Sequence, residues 1–167
     1  MIFRAWPDGK FTGPGISARC ALGRSGVVSA ADKREGDGAT PAGTWPIRRV
    51  LYRPDRPALP RTALPMSPIA PEDGWCDAPG DAAYNQPVTR PYRASSEAMW
   101  REDGVYDVVV VLGYNDDAPV SGRGSAIFLH LARPGYEPTE GCVALNRADM
   151  EAFLSAARPG DVLEISA

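Results

Sequence analysis

Histidine and lysine are scarce in this chain of 167 residues. It contains one histidine, His130, and two lysines, while sixteen arginines supply the other basic side chains. The formal net charge is −3, and arginines and acidic residues alternate along the chain without forming a basic run. A nucleic-acid-binding surface is therefore not predicted. Any reaction that requires an imidazole has to use His130.

Long apolar runs and closely spaced cysteines are also missing. No segment approaches the roughly 20 apolar residues that span a membrane, so a transmembrane protein is not predicted. No signal peptide is visible in the sequence, although a mature, already cleaved chain would look the same. The three cysteines, Cys20, Cys76 and Cys142, form no Cys-x-x-Cys motif. We therefore predict no metal site and no cofactor. For Cys20 and Cys76 we favour buried thiols, with a disulfide between them as the alternative.

Glycine and proline, in contrast, are abundant, with 17 of each. This excess disfavours a helical bundle and favours short strands joined by many turns. The hydrophobic content of 44% is normal for a folded protein. The length fits one domain over residues 1–167, and we expect a monomer.

Hydrophobic periodicity predicts a mainly β fold with a few short helices. The predicted strands cover residues 2–6, 16–22, 44–52, 106–112, 126–132, 142–145 and 161–166. A helix is predicted over 147–157 with Asn146 as its N-cap, and a short one over 95–101. Residues 53–92 hold more than half of the prolines and show little periodicity. Such a long excursion is typically functional, although a solvated, proline-stiffened loop is the alternative.

The predicted strands place His130 and Cys142 on one face. In the first strand Ile127, Leu129 and Leu131 share an aliphatic face, so His130 lies on the other. In the second strand Val143 and Leu145 form an apolar pair on one face, and Cys142 lies on the other face. An antiparallel hairpin closed by residues 133–141 would pair His130 with Ala144. It would then make His130 and Cys142 diagonal neighbours.

An imidazole beside a thiol can support nucleophilic catalysis. The histidine would act as the base that activates the cysteine. Gly141 would allow a tight turn, and the amides around residues 141–142 would stabilise an oxyanion. Glu140 would oppose the thiolate, because a nearby carboxylate disfavours it. A buried structural cysteine with a surface histidine is the alternative.

These residues resemble the active-site signature of the YkuD-type L,D-transpeptidase catalytic domain. That signature has a histidine on one strand, followed by Ser/Thr-x-Gly-Cys and an aliphatic residue, as in Thr139-Glu140-Gly141-Cys142-Val143. Residues 40–47 (TPAGTWPI) are similar to a second family segment, and residues 73–76 (DGWC) and 84–85 (YN) to short, single-domain members. The resemblance extends from about residue 20 to 165.

The resemblance implies a β-sandwich or barrel-like fold and a two-step acyl transfer on peptidoglycan stem peptides. Cys142 would be the nucleophile, His130 the base and then the acid, and a second stem would resolve the thioester into a crosslink. A backbone carbonyl or a hydroxyl orients the histidine in this family, and Leu131 is our candidate for that carbonyl. The periplasm or cell envelope is the expected location.

Two other functions remain open at this point. One is an L,D-carboxypeptidase or amidase that uses water as the acceptor, and the other is a non-catalytic module that binds the cell wall. Glu140 and Ala144 depart from the residues usual in the family, which leaves the acceptor and the type of crosslink undetermined. The residues predicted to contact substrate are Asn85, Tyr114, Asn115, Arg123, Arg133, Thr139 and Glu140. For Asn85, Tyr114, Asn115 and the two arginines, a role as a turn residue or a solvated charge is an equal or better alternative.

Overall fold

Eight strands close into a barrel in the computed structural model, which describes residues 1–167. The thirteen strands of the chain are β1 (Ile2–Ala5), β2 (Lys10–Gly13), β3 (Ile16–Ala21), β4 (Val27–Ser29), β5 (Thr40–Tyr52), β6 (Met66–Pro68), β7 (Asp73–Cys76), β8 (Pro87–Thr89), β9 (Ser96–Ala98), β10 (Val108–Leu112), β11 (Phe128–Leu131), β12 (Val143–Leu145) and β13 (Val162–Ile165). The barrel runs β10-β11-β12-β3-β2-β1-β13-β5 and closes where β5 also pairs with β10. The mainly β prediction is confirmed.

The long strand β5 closes the barrel. Its first half pairs with β13, and its second half pairs with β10, both antiparallel. It begins at Thr40, four residues before the predicted start, because the glycine-rich segment leads directly into pairing with β4. The strand β2 was not predicted, since the predicted strands leave residues 7–15 unassigned.

The helix α1 (Arg147–Ala156) packs on the barrel as its sequence predicts. Asn146 caps it, because the Asn146 side chain accepts a hydrogen bond from the Asp149 amide at 2.8 Å. Met150, Phe153 and Leu154 lie on its buried face. Neither α1 nor the short 3₁₀ helix (Pro134–Tyr136) has the length and apolar character needed to cross a membrane.

The strand β10 separates two hydrophobic cores. Val108, Val110 and Leu112 belong to the larger core together with α1, whereas Val109 and Val111 belong to a second core. This explains why its sequence is apolar without alternation, since both faces are buried. The second core includes Phe128 on the outer face of β11 and Cys142, the residue directly before β12. It therefore places the candidate site outside the barrel.

The long excursion builds a second, smaller sheet from β8, β7 and β9. Trp75 of this sheet meets Phe128 of β11 edge-to-face, with ring centroids 5.0 Å apart. The helix predicted over residues 95–101 is wrong, because residues 96–98 form β9 and Glu97 pairs with Trp75. A pattern seven residues long is too short to stabilise a helix against strand pairing.

The hairpin predicted for the two active-site strands is also wrong in direction. The strands β11 and β12 are parallel, with His130 opposite Ala144 and Leu129 opposite Val143. Residues 133–141 return along the length of the strand, with Thr139 forming a bridge to Gly23, before β12 begins. The pairing of His130 with Ala144 is nevertheless the predicted one. Alternation of side chains identifies a face of a strand but not the direction of its neighbour.

Candidate active site

A cavity of about 430 Å³ opens between the outer face of β11 and β12 and the smaller sheet. Both Cys142 and His130 line it, and each side chain is nearly buried, with 8% of its surface exposed. In the parallel register the two residues lie diagonally on the same face. The strand spacing and rise put their Cα atoms about 8 Å apart. The juxtaposition predicted from the sequence is therefore present despite the reversed strand.

The backbone of β11 and the residues before it hold the thiol of Cys142. Its sulfur accepts a hydrogen bond from the Phe128 amide at 3.3 Å and donates one to the carbonyl oxygen of Ala126 at 3.2 Å. Ala126 has a positive φ of 52°, which turns its carbonyl out of the regular strand pattern. The resting sulfur is thus fixed by two backbone contacts.

The turn before Cys142 needs a glycine and a hydroxyl. Gly141 has a φ of +135°, and a Cβ there would lie 2.8 Å from the carbonyl oxygen of Ala39. Thr139 Oγ1 donates to the Cys142 carbonyl at 2.6 Å and accepts from the Gly141 amide at 3.1 Å. The Gly141 amide is therefore occupied, whereas the Cys142 amide makes no hydrogen bond within the protein.

His130 is held through Nδ1, which lies 2.9 Å from the carbonyl oxygen of Leu131. A carbonyl only accepts, so Nδ1 carries the proton and Nε2 carries a lone pair. Nε2 makes no hydrogen bond in the protein and is not among the fully buried atoms without a partner, so the cavity gives access to it.

Burial keeps both groups of the pair neutral. Burial, and to a smaller extent the nearby carboxylate of Glu97, raises the pKa of Cys142 to about 12. Burial lowers the pKa of His130 to about 4, and the guanidinium groups of Arg101 and Arg133 contribute. At neutral pH the structure therefore holds a thiol beside a neutral imidazole rather than a thiolate beside an imidazolium.

Four carboxylates that the sequence did not single out line the same cavity, namely Glu35, Asp77, Glu97 and Glu137. Burial raises the pKa of Glu97, and the charges of Asp77 and Glu35 raise it further. Oδ1 of Asp77 is fully buried without a hydrogen-bond partner. Sequence patterns could not find this group, because its members come from distant segments and are assembled only by the tertiary fold.

Glu140 does not have the influence on the thiol that its sequence position suggests. Its side chain is 80% exposed and pairs with Arg24, with Nε to Oε2 at 3.0 Å. The charged neighbours that act on Cys142 are Glu97 and Lys33. Because Glu140 is screened by water and neutralised by Arg24, the predicted opposition to the thiolate belongs to Glu97 instead.

The residues predicted to contact substrate fall into two groups. Thr139, Glu140 and Arg133 line the cavity, and Arg133 pairs with Asp103 at 2.8 Å. The other four lie outside its lining and hold the surrounding loops: Asn85, Tyr114, Asn115 and Arg123. Asn85, for example, is 4% exposed and binds the Trp75 indole, at 2.9 Å, and the Ala126 amide. Contact of these four residues with substrate stays a prediction.

The other two cysteines, Cys20 and Cys76, are buried free thiols, so the disulfide alternative is not observed. Burial raises the pKa of Cys20 to about 12. Neither residue lines the cavity. Cys142 is therefore the cysteine that a ligand in the cavity can reach.

Comparison with known proteins identifies the class to which this fold and site belong. A family model for YkuD, the L,D-transpeptidase catalytic domain, matches residues 2–165, and the chain belongs to that family. A solved structure of L,D-transpeptidase 3 from Mycobacterium tuberculosis, in complex with a faropenem-derived adduct, is similar to it at 14% identity with a TM-score of 0.47. The match covers 99% of this chain and 60% of that one. No curated protein sequence matches the chain.

Proposed function

We propose that the protein is a cysteine L,D-transpeptidase that crosslinks peptidoglycan stem peptides through a thioester on Cys142. The observation that carries the proposal is the shared cavity of Cys142 and His130, with Nε2 of His130 left free by the hydrogen bond from Nδ1 to Leu131. Membership of the YkuD family supports the reaction class. For a protein that acts on such substrates we propose a location in the periplasm or cell envelope.

In the first step His130 removes the proton of the Cys142 thiol as the sulfur attacks a stem-peptide carbonyl. Both groups are neutral at rest, so the proton moves to Nε2 during the attack instead of beforehand. The sulfur leaves its contact with the Ala126 carbonyl at this point. The imidazolium then protonates the departing amine, the C–N bond breaks, and the thioester remains.

We assign the amide N–H of Cys142 as the donor that stabilises the oxyanion formed in this step. That N–H has no partner in the protein, whereas the Gly141 amide already donates to Thr139. A preorganised donor at this position stabilises charge that develops only during attack. Thr139 and Gly141 then act by fixing the turn that presents the amide.

In the second step the amine of another stem peptide attacks the thioester. His130 accepts a proton from this amine, the new C–N bond forms, and the C–S bond breaks. The proton returns to the Cys142 sulfur, which restores the resting pair. Water in place of the amine would give a carboxypeptidase.

The test is incubation of the protein with a tetrapeptide muropeptide, followed by mass spectrometry of the products. Crosslinked dimers are expected, together with release of the terminal D-amino acid. Tripeptide without dimer would identify the hydrolase, and unchanged substrate would leave only a binding module. Cys142→Ala is expected to abolish the reaction, and Cys76→Ala serves as the matched control. Full dimer formation by Cys142→Ala would overturn the proposal.

A further inference from the structure

The imidazole of His130 has one hydrogen bond to the protein, and that bond is local. It joins Nδ1 to the carbonyl of Leu131, the adjacent residue of β11. The bond selects the tautomer, but by itself it allows the ring to tilt about the Nδ1–O direction. The direction of Nε2 therefore depends on what packs against the face and edge of the ring.

Tyr106 supplies that second contact. Its ring centroid lies 5.3 Å from that of His130, with an angle of 69° between the ring planes. This separation and angle match the edge-to-face geometry that aromatic rings prefer. Both residues are nearly buried, and both line the cavity. Tyr106 thus packs against the imidazole of the proposed base, in addition to the hydrogen bond that Leu131 accepts from Nδ1.

Tyr106 is itself anchored. Its hydroxyl donates a hydrogen bond to Glu97 Oε1 at 2.6 Å, so β9 of the smaller sheet holds the end of the ring. Phe128 meets the ring edge-to-face at 6.0 Å, and the guanidinium carbon of Arg101 lies 5.1 Å from the ring centroid. These three contacts restrain the Tyr106 ring in the second core.

The carboxylate of Glu97, which accepts the hydrogen bond from Tyr106, argues against a role of Tyr106 in core packing alone. A phenylalanine would fill the same volume and would need no acceptor, whereas Glu97 loses hydration at this position, and its pKa is raised by burial. Glu97 also opposes the thiolate of Cys142. Glu97 is therefore unfavourable both for its own burial and for the thiolate of Cys142. Its presence is explained if the site requires the Tyr106 ring to be held in one position.

We propose that Tyr106 is a positioning residue whose ring, anchored to Glu97, holds the His130 imidazole with Nε2 directed into the cavity of Cys142. The proposal rests on the proposed function only in treating His130 as the base. It also gives the smaller sheet a role, because β9 then supports the orientation of a residue on the barrel. The residue acts through His130 and does not itself take part in proton transfer.

The test uses the fact that His130 is the only histidine, so its ¹⁵N NMR signals need no assignment. Wild type is expected to show one sharp Nδ1–H form. Tyr106→Leu is expected to broaden or split these signals and to shift the pH profile of Cys142 alkylation. It should lower kcat about tenfold with KM changed less than about twofold, as expected for loss of an aromatic contact and of base orientation.

Three further variants complete the experiment. Tyr106→Phe is isosteric, and it is expected to fold, lose the anchor and broaden the signals measurably. Glu97→Gln keeps an acceptor for the hydroxyl and should retain the wild-type His130 signals. Tyr114→Leu removes an equally buried tyrosine that packs on Trp45, and it should not alter the His130 signals.

Wild-type His130 signals and an unchanged alkylation profile in Tyr106→Leu would overturn the proposal. If that variant does not fold, wild-type signals in Tyr106→Phe would overturn the anchoring by Glu97. The NMR measurement requires no substrate. A wild-type protein that forms no product therefore contradicts the proposed function and leaves the role of Tyr106 to be decided by the NMR result.

Discussion

Nδ1 of His130 lies 2.9 Å from the carbonyl oxygen of Leu131, the next residue of the same strand. The group that fixes the tautomer of the proposed base is therefore part of the backbone, and no side-chain substitution removes it. It comes with the strand conformation of β11. What remains open to mutation is the environment of the ring, which sets its protonation and direction.

The first prediction concerns the protonation of His130. We expect its NMR signals to titrate near pH 4 instead of near the usual 6.5, because burial disfavours the imidazolium. The pKa of His130 is lower in the folded protein than in the unfolded chain. The contribution of this histidine to the free energy of unfolding is therefore complete above about pH 6.5, and it is lost as the pH falls to about 4.

The corresponding stability measurement compares wild type with His130→Gln. The free energy of unfolding of wild type should fall by about 3 kcal/mol more than that of the variant between pH 7 and pH 4. The unfolded chain, in which the histidine titrates normally, serves as the reference. A His130 titration near 6.5 in the folded protein would contradict this account of the site.

The second prediction concerns the carboxylate that acts on Cys142. Glu97→Gln should lower the pKa of the thiol and increase its alkylation by iodoacetamide several-fold at pH 7 to 8, since a negative neighbour is removed. Glutamine can still accept the hydrogen bond from Tyr106, so the change isolates the charge.

Glu140→Gln is the matched control for that experiment. Glu140 is exposed and paired with Arg24, so its neutralisation should leave the alkylation rate of Cys142 within about twofold. A larger effect from Glu140 than from Glu97 would show that the charge nearer in sequence, and not the one placed by the fold, controls the thiol.

The third prediction concerns Gly141. An alanine there meets both a φ of +135° and the Ala39 carbonyl at 2.8 Å. We expect a loss of about 3 kcal/mol in the free energy of unfolding and a large loss of activity, because the turn before Cys142 must move. Gly135→Ala, at a φ of +74° with no atom near its Cβ, should cost about 1 kcal/mol. Equal costs in chemical denaturation would refute the steric argument.

The fourth prediction concerns the Thr139 hydroxyl, which joins the Cys142 carbonyl to the Gly141 amide. Thr139→Val should lower kcat about tenfold and the free energy of unfolding by about 1 to 2 kcal/mol, because two hydrogen-bonding groups lose their partner. Thr139→Ser keeps the hydroxyl and should remain close to wild type in both. Similar kinetics for valine and serine would show that the hydroxyl is dispensable.

The barrel could be predicted in part because its strands have clear patterns. Val108–Leu112 is apolar throughout, and Asn146 with the apolar spacing of Met150, Phe153 and Leu154 defines α1. The direction of β12 and the strand at residues 96–98 could not be predicted. Both depend on pairing with residues far away in sequence, which local alternation does not encode.

The residues of the candidate site likewise divide into those that the sequence could predict and those that it could not. Cys142 and His130 could be identified because they lie close together in sequence, on or directly next to strands with defined faces, and Gly141 because it precedes Cys142. Glu97 and Tyr106 were missed, since the geometry that gives them meaning joins β9 and the loop before β10 to β11. Charge effects read from sequence proximity were misassigned to Glu140, because distance in space and exposure decide their strength.

The most direct test of the central claim is to trap the acyl-enzyme. The protein is mixed with a tetrapeptide muropeptide without excess acceptor, quenched in acid within seconds, and digested for peptide mass spectrometry. A tripeptide acyl group on the peptide that contains Cys142, absent from His130→Ala under the same conditions, is the expected result. Crosslinked product formed without an adduct on Cys142, or an adduct on Cys20 or Cys76, would contradict the account.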